Sequence, residues 1–448
     1  MIDTAIVTGF LAACLMLGAR ARREEDIEGW ILAGRSLTLP VFVATLVPTF
    51  YGGVLGIGEL TWSAGLSNWT VMALPYYVFA GLYALFLAGR VRVTPGLTIP
   101  DHLESAYGRP MALIGALLVF MLASPADELL MAGSLLNHLT GLPPAAGGAA
   151  AAVLILALIW RGGLRSDAAA NRLQFVVMFA GFALIIPFAW RALGSPAAMA
   201  AKLPAGHLSW TGEMSPAKLI GWWLIAMWTI VDPSFHQRCA AAQSPAVARK
   251  GILISIGFWT AFDLMTTTAG LYARAALPVI ENPTLAFPLL ADAVMPPIAR
   301  GLFFAGISAS LFAALQGTAL IAAACLGKSR LRAGLLATMI ASYVLSRLVP
   351  SVVGLWYAVG SAVIPGLLLP MLGIYVPALR VPGKWAVASS LAGWLISLAW
   401  VAVARIKGEP PLGLEPMFPG LALSGILWAA GYASSTRTVH AAPSSSRR

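Results

Sequence analysis

Apolar residues in this chain come in long unbroken runs rather than in the alternating patterns of a soluble fold. The runs are roughly 18 to 25 residues long, enough to cross about 30 Å of hydrocarbon, and short polar stretches separate them. They fall near 3–19, 38–62, 68–88, 111–138, 143–160, 173–194, 217–236, 252–275, 301–326, 331–349, 352–375, 384–404 and 416–434. The pattern predicts an all-α polytopic membrane protein with about 13 transmembrane helices. One run is internally inconsistent. Residues 44–58, ATLVPTFYGGVLGIG, sit inside the second run yet hold one proline and four glycines. Freed backbone groups in hydrocarbon cost several kcal/mol unless protein or an aqueous cavity satisfies them, so a broken helix there predicts a binding site.

Composition agrees with the pattern. Of 448 residues 59% are hydrophobic and 10% charged, and the mean hydropathy is +0.82, more apolar surface than a soluble chain can bury. The first run has no basic stretch before it, and Arg20, Arg22 and Arg23 follow it, so it reads as a retained span rather than a signal peptide. With the N-terminus outside, alternating the loops puts 21 of the 29 Lys and Arg on one side, which the positive-inside rule makes cytoplasmic. The expectation is a multi-pass cell-membrane protein with its C-terminus in the cytoplasm. The net charge of +11 is then carried by cytoplasmic loops and needs no nucleic-acid partner.

Several chemistries drop out. Cys14, Cys239 and Cys325 are too scattered for a disulfide framework, and the five His have no metal-ligand spacing. Gly327-Lys328-Ser329 looks like the end of a phosphate-binding loop, but the required earlier glycine is Ala322. Neither a Ser/His/Asp set nor HExxH is present, so an enzyme is not expected. No long polar segment flanks the runs, which argues against an ATP-driven pump or a sensor kinase. The small, polar, basic residues from Ala433 on read as disordered.

Acids within apolar runs are functional candidates because they are costly there. They are Glu59, Asp127, Glu128, Asp232 and Asp263. Asp127 and Glu128 diverge by about 100° on a helix, so at most one is expected to face a cavity. For Asp232 the plainer reading is a pair with Arg238; for Asp263, a bond between helices. In the ninth run Gly306, Ala309, Ser310, Ala313 and Gly317 recur every three to four residues, a face for close packing on which Ser310 also offers an ion an oxygen.

ILAGRSLTLP (31–40), then ATLVPTFYGGVLGIGELTWSAGL, then LTIPDHLESAYGRP (97–110) resemble the opening of the sodium:solute symporter family. GGLRSDAAANRLQF (162–175), DPSFHQRCAAAQSPAVARKG (232–251) and AGISASLFAALQGTAL (305–320) resemble later segments of that family in the same order. The resemblance covers about residues 30 to 330. It implies a leucine-transporter-type core of two inverted five-helix repeats, each opening with a broken helix, with Pro48 and the glycines unwinding the second run. The implied organisation is an extra helix and basic loop at 1–37, repeats at 38–194 and 195–375, two further helices at 376–436 and a disordered tail at 437–448.

The implied activity is sodium-coupled symport of a small organic solute (an amino acid, carboxylate or vitamin-like metabolite) by alternating access. The sodium ion falls, by the resemblance, on the carbonyls of Leu46, Thr49 and Gly306 and the hydroxyl of Ser310. A second hydroxyl expected at 309 is missing because that residue is Ala309. Asn171 stands where the family usually has Asp, and Glu128 where Gln is commoner, so proton coupling through Glu59 or Glu128 is an alternative. A substrate sensor on a transporter scaffold is another. Gly53, Met72 and Trp259 replace polar groups of sugar-carrying relatives, which disfavours a hexose. The solute-site candidates are Gly53, Glu59, Glu128, Asp232 and Trp259.

Overall fold

A computed structural model describes residues 2–21, 26–327, 330–348 and 351–440. Every predicted run coincides with a helix or with consecutive helical pieces. In chain order these are α1 (Ile2–Arg20), α2 (Leu39–Ala64), α3 (Trp69–Val93), α4 (Arg109–Thr140), α5 (Pro144–Ile159), α6 (Leu164–Leu193), α7 (216–241), α8 (Pro245–Ala276), α9 (Pro297–Cys325), α10 (Leu331–Leu348), α11 (Val352–Tyr375), α12 (Gly383–Lys407) and α13 (Met417–His440). Among the described residues ten of these are long and apolar enough to cross a membrane. The other three predicted runs are the short α5, the interrupted α7 and α13. Helix α13 continues through His440, past the expected start of the tail at 437; the rest of that tail, 441–448, lies outside the described residues.

Burial separates centre from periphery. In α2 and α9, 78% of the apolar stretch is buried, against 28% in α1 and α12, so the first two form the core and the last two face lipid. Glycine sets the spacing of the seam between α6 and α9. A Cβ on Gly181 of α6 would lie 2.9 Å from the Cα of Gly306 on α9, so the two backbones approach with no side chain between them.

Three helices are interrupted, each differently. Helix α2 runs from Leu39 to Phe50, tightens into a 3-10 turn at Tyr51–Gly53 and resumes at Val54–Ala64. The turn lies just beyond Pro48, which is inside the first half, and the chain narrows there rather than unwinding as expected. Helix α7 breaks fully at Asp232, whose backbone is extended (φ −61°, ψ 117°). Pro233 then opens Pro233–Ala241, a position where its missing N–H costs nothing. Helix α4 stops at Leu122 and restarts at Ala126, an interruption the sequence reading did not foresee. Pro125 and the Ser124 hydroxyl, 2.9 Å from that of Ser342, accompany it.

The two ends of the molecule differ in chemistry. At one end the basic loops interlock: the Leu37 N–H donates to Ala241 O at 3.0 Å, and Arg35 donates to Ala240 O at 3.4 Å and Gly96 O at 3.0 Å. At the other end Arg300 joins Asp3 of α1 to Asp292, which His138 of α4 also contacts at 2.9 Å. We refer to these as the basic end and the opposite end.

Candidate transport site

The three interruptions meet around one cavity of about 160 Å³. A comparable engineered cavity of about 150 Å³ holds benzene, so the space suits a small solute. Leu46, Thr49, Phe50, Tyr51, Gly52 and Gly53 come from the break in α2; Met121 to Ser124, Asp127 and Glu128 from that in α4; Trp228 and Asp232 to Phe235 from that in α7. Leu355, Trp356 and Val359 of α11 complete the wall with Met72 and Tyr76 of α3. Six lining residues are aromatic: Phe50, Tyr51, Tyr76, Trp228, Phe235 and Trp356. The acidic lining residues are Asp127, Glu128 and Asp232, and among the described residues no lysine, arginine or histidine lines the cavity.

Each acid is held differently. Asp232 accepts the backbone N–H groups of Ser234 at 2.6 Å and Phe235 at 3.2 Å, capping the second half of α7. Asp127 accepts the indole N–H of Trp356 at 2.7 Å, tying α11 to α4. The Trp356 ring lies over Gly53 and Gly56 of α2, where any added Cβ would collide with it. Glu128 is 5% exposed and reaches Gly52, and its Oε2 has no hydrogen-bond partner among the described residues. Both neighbouring acids therefore line the cavity, against the expectation of at most one. Because α4 restarts just before them, they sit in its first turn, where Asp127 reaches α11 and Glu128 reaches α2.

Two solute candidates stand apart from the cavity. Glu59 accepts hydrogen bonds from Thr284 at 2.9 Å and Ser351 at 3.4 Å, at the far end of α2. Trp259 is fully buried behind the wall, its ring 4.4 Å from Phe50 and 5.7 Å from Phe235, and its N–H donates to Val47 O at 3.4 Å. Gly53 and Asp232 are lining residues, as is Glu128. Asp263 bonds between helices, as its plainer reading held, accepting the Tyr77 hydroxyl.

At the seam of α2 and α9 the Ser310 hydroxyl donates to Tyr51 O, in the break itself. Its lone pairs stay free to ligate a cation. Leu46 and Thr49 lie on the facing stretch of α2, and Ala309 brings no oxygen. Gly306 packs against α6, one turn before Ser310.

Toward the basic end lies a group that the sequence reading did not select. Arg238 is fully buried, and its partner is Asp167 of α6, 3.0 Å away and equally buried, rather than Asp232. The guanidinium also donates to Thr49 Oγ1 at 3.1 Å and Gln237 Oε1 at 2.7 Å. Gly317 of α9 makes room for it, since a Cβ there would lie 2.8 Å from the guanidinium nitrogen. Asp232 spends its carboxylate on the helix cap instead. The usable signal was positional: Asp167 is four residues before Asn171 and so shares its helix face.

A solute cavity at the meeting point of discontinuous helices, deep in a helical membrane bundle, defines a secondary transporter. Residues 30–329 match the family model described as the sodium:solute symporter family. The chain belongs to that family, and it is a sodium-coupled symporter of a small solute. Among curated relatives it is 22% identical to the high-affinity choline transporter 1 of Drosophila melanogaster over 92% of this chain and 72% of that one. It is 26% identical to the uncharacterized symporter YidK of Escherichia coli over 65% of this chain and 55% of that one. In fold it is similar to a Na+-coupled sialic acid symporter in a substrate-bound outward-open state, with TM-score 0.75, 17% identity and 98% of each chain covered. A nucleobase-cation-symport-1 family transporter in a closed conformation gives TM-score 0.61 at 12% identity, covering 91% of this chain and 94% of that one.

Proposed function

We propose that the solute is a small organic cation of the amine or quaternary ammonium class, carried with sodium toward the basic end, which faces the cytoplasm. The observation that carries this reading is the lining: six aromatic rings and three acids with no base. Aromatic faces attract cations, by about 2 kcal/mol or more where water is excluded, and the unpartnered Oε2 of Glu128 offers the cation a carboxyl oxygen. A carboxylate solute would meet three acids and no cation. A relative named for choline, itself a small quaternary ammonium, is in keeping with this.

Sodium is taken at Leu46, Thr49, Gly306 and Ser310. Support comes from the Ser310 contact with the broken turn of α2, since an ion shared by α2 and α9 would hold the turn beside the solute. Two closures bound the cavity: Trp356 on Asp127, and Arg238 with Asp167 and Thr49. Alternating access then opens one closure while the other stays shut.

Uptake into proteoliposomes under an inward sodium gradient tests the reading, with choline, glucose, alanine and acetate as the panel. Choline uptake that collapses without sodium is the expected outcome, and Glu128→Gln should weaken its apparent affinity more than tenfold. Uptake of only acetate or glucose sinks the cationic class, and sodium-independent choline uptake sinks the coupling.

A further inference from the structure

On the outer surface of the bundle, at its basic end, α3 and α8 leave a groove of about 630 Å³ between them. Its upper wall is apolar and open to the bilayer: Leu85 is 49% exposed, Phe86 60% and Leu253 41%. Its lower rim is basic, formed by Arg90, Arg249 and Lys250, and no acid lines it. Arg90 donates one guanidinium N–H to Tyr375 O at 2.9 Å, which fixes its position and leaves further donors free. None of the three forms an ion pair among the described residues.

The backbone contributes to this shape. Tyr83–Leu87 of α3 winds as a π-helix, a local widening of the kind that recurs at functional sites. It turns Tyr83 inward and Leu85 and Phe86 outward. Two residues further on, Gly89 leaves the floor open, with the nearest atom, the Cβ of Pro245, 3.7 Å from where a Cβ would stand.

We propose that this groove binds an anionic phospholipid of the leaflet at the basic end. An acyl chain lies along Leu85, Phe86 and Leu253, and the phosphate sits among Arg90, Arg249 and Lys250. The stacking of apolar wall over basic rim matches the order of chain and headgroup in a leaflet, which a soluble anion would not need. Basic pockets between transmembrane helices hold anionic headgroups in this way, and each positive charge near such a surface strengthens binding roughly fivefold.

Native mass spectrometry of the purified full-length protein, titrated with phosphatidylglycerol and with phosphatidylcholine, tests the proposal. Phosphatidylglycerol is expected to bind more tightly, and Arg249→Gln with Lys250→Gln to weaken it roughly 25-fold. Gly89→Leu, which fills the groove and keeps every charge, is expected to weaken it as well. Circular dichroism melting of each variant confirms that it is folded. Equal binding of the two lipids, or unchanged binding in the double variant, overturns the proposal. Loss in the double variant but not in Gly89→Leu reduces the site to diffuse surface charge and overturns the groove. Displacement by millimolar inorganic phosphate shows a free-anion site and overturns the lipid assignment.

Discussion

Of the three broken helices around the cavity, α2 and α7 solve one problem by different means. In α2 the chain narrows into a 3-10 turn, and steric fit holds the turn: Gly52 abuts Ala314 of α9, and Gly53 and Gly56 lie under Trp356. In α7 the chain stops and starts again, and charge holds the junction: Asp232 caps the new helix, and Arg238 anchors it to Asp167. A junction held by steric fit yields to whatever enters beside it, whereas a capped and ion-paired one opens only when its charges are given other partners.

The largest effect belongs to the anchor of α7. Removing one partner of a buried ion pair costs about 3–5 kcal/mol, because the other charge is left bare. Arg238→Ala and Asp167→Ala should each lower the melting temperature of the purified protein sharply, and Asp167→Leu with Arg238→Met should recover most of the loss. A double variant as unstable as the singles breaks the argument.

Next comes the steric closure of α2. Gly52→Ala puts a methyl group into Ala314, an overpacking worth about 1–3 kcal/mol. Uptake should fall more than tenfold while the protein still folds, and Ala314→Gly in the same chain should restore it. Failure of that rescue would mean that Gly52 is needed for backbone conformation rather than for fit.

Smaller effects are expected at the ion. Ser310→Ala removes one oxygen, a contribution of about 1 kcal/mol, so half-maximal uptake should need several times more sodium with maximal rate kept. Ala309→Ser should shift it the other way. An unchanged sodium dependence in both removes that face of α9 from the site.

The smallest change sharpens the α7 half of the comparison. Asparagine caps helices about as well as aspartate, so Asp232→Asn should melt within a few tenths of a kcal/mol of the parent while weakening binding of a cationic solute. Thermal melts over two double-mutant cycles should find strong coupling between Asp167 and Arg238 and weaker coupling between Asp232 and Arg238. The reverse ranking overturns the pairing.

The all-helical membrane fold and the break in α2 were readable because hydrocarbon imposes one rule on every segment, and run length and a cluster of glycines report it directly. The break in α4 was not, since Ser124 and Pro125 sit within an apolar run that reads as continuous. Arg238 illustrates another limit. Nearness in sequence pointed to Asp232, six residues away, but the true partner, 71 residues away, is fixed by how α6 packs against its neighbours; the helix face that Asp167 shares with Asn171 marks it as a candidate without naming Arg238 as its partner. Glu59 and Trp259 were legible as unusual residues, but whether such a residue faces the cavity or backs its wall depends on helix rotation, which composition leaves open.

The pairing of Asp167 with Arg238 also bears on how the protein is made. A charged residue costs up to about 2.5–3.5 kcal/mol at the centre of an isolated transmembrane helix and less toward its ends, and the last part of α7, 232–238, carries Asp232 and Arg238 together with His236 and Gln237. Such a segment enters lipid more readily beside a partner that satisfies its polar groups. Asp167 precedes Arg238 in the chain, so α6 is already synthesised when the second half of α7 leaves the ribosome, and it can offer the counter-charge from within the membrane. Insertion of α7 is therefore expected to be assisted by the earlier α6. An Asp167 substitution should accordingly be visible as glycosylation-tag topology errors in nascent chains, before any folded transporter exists to assay.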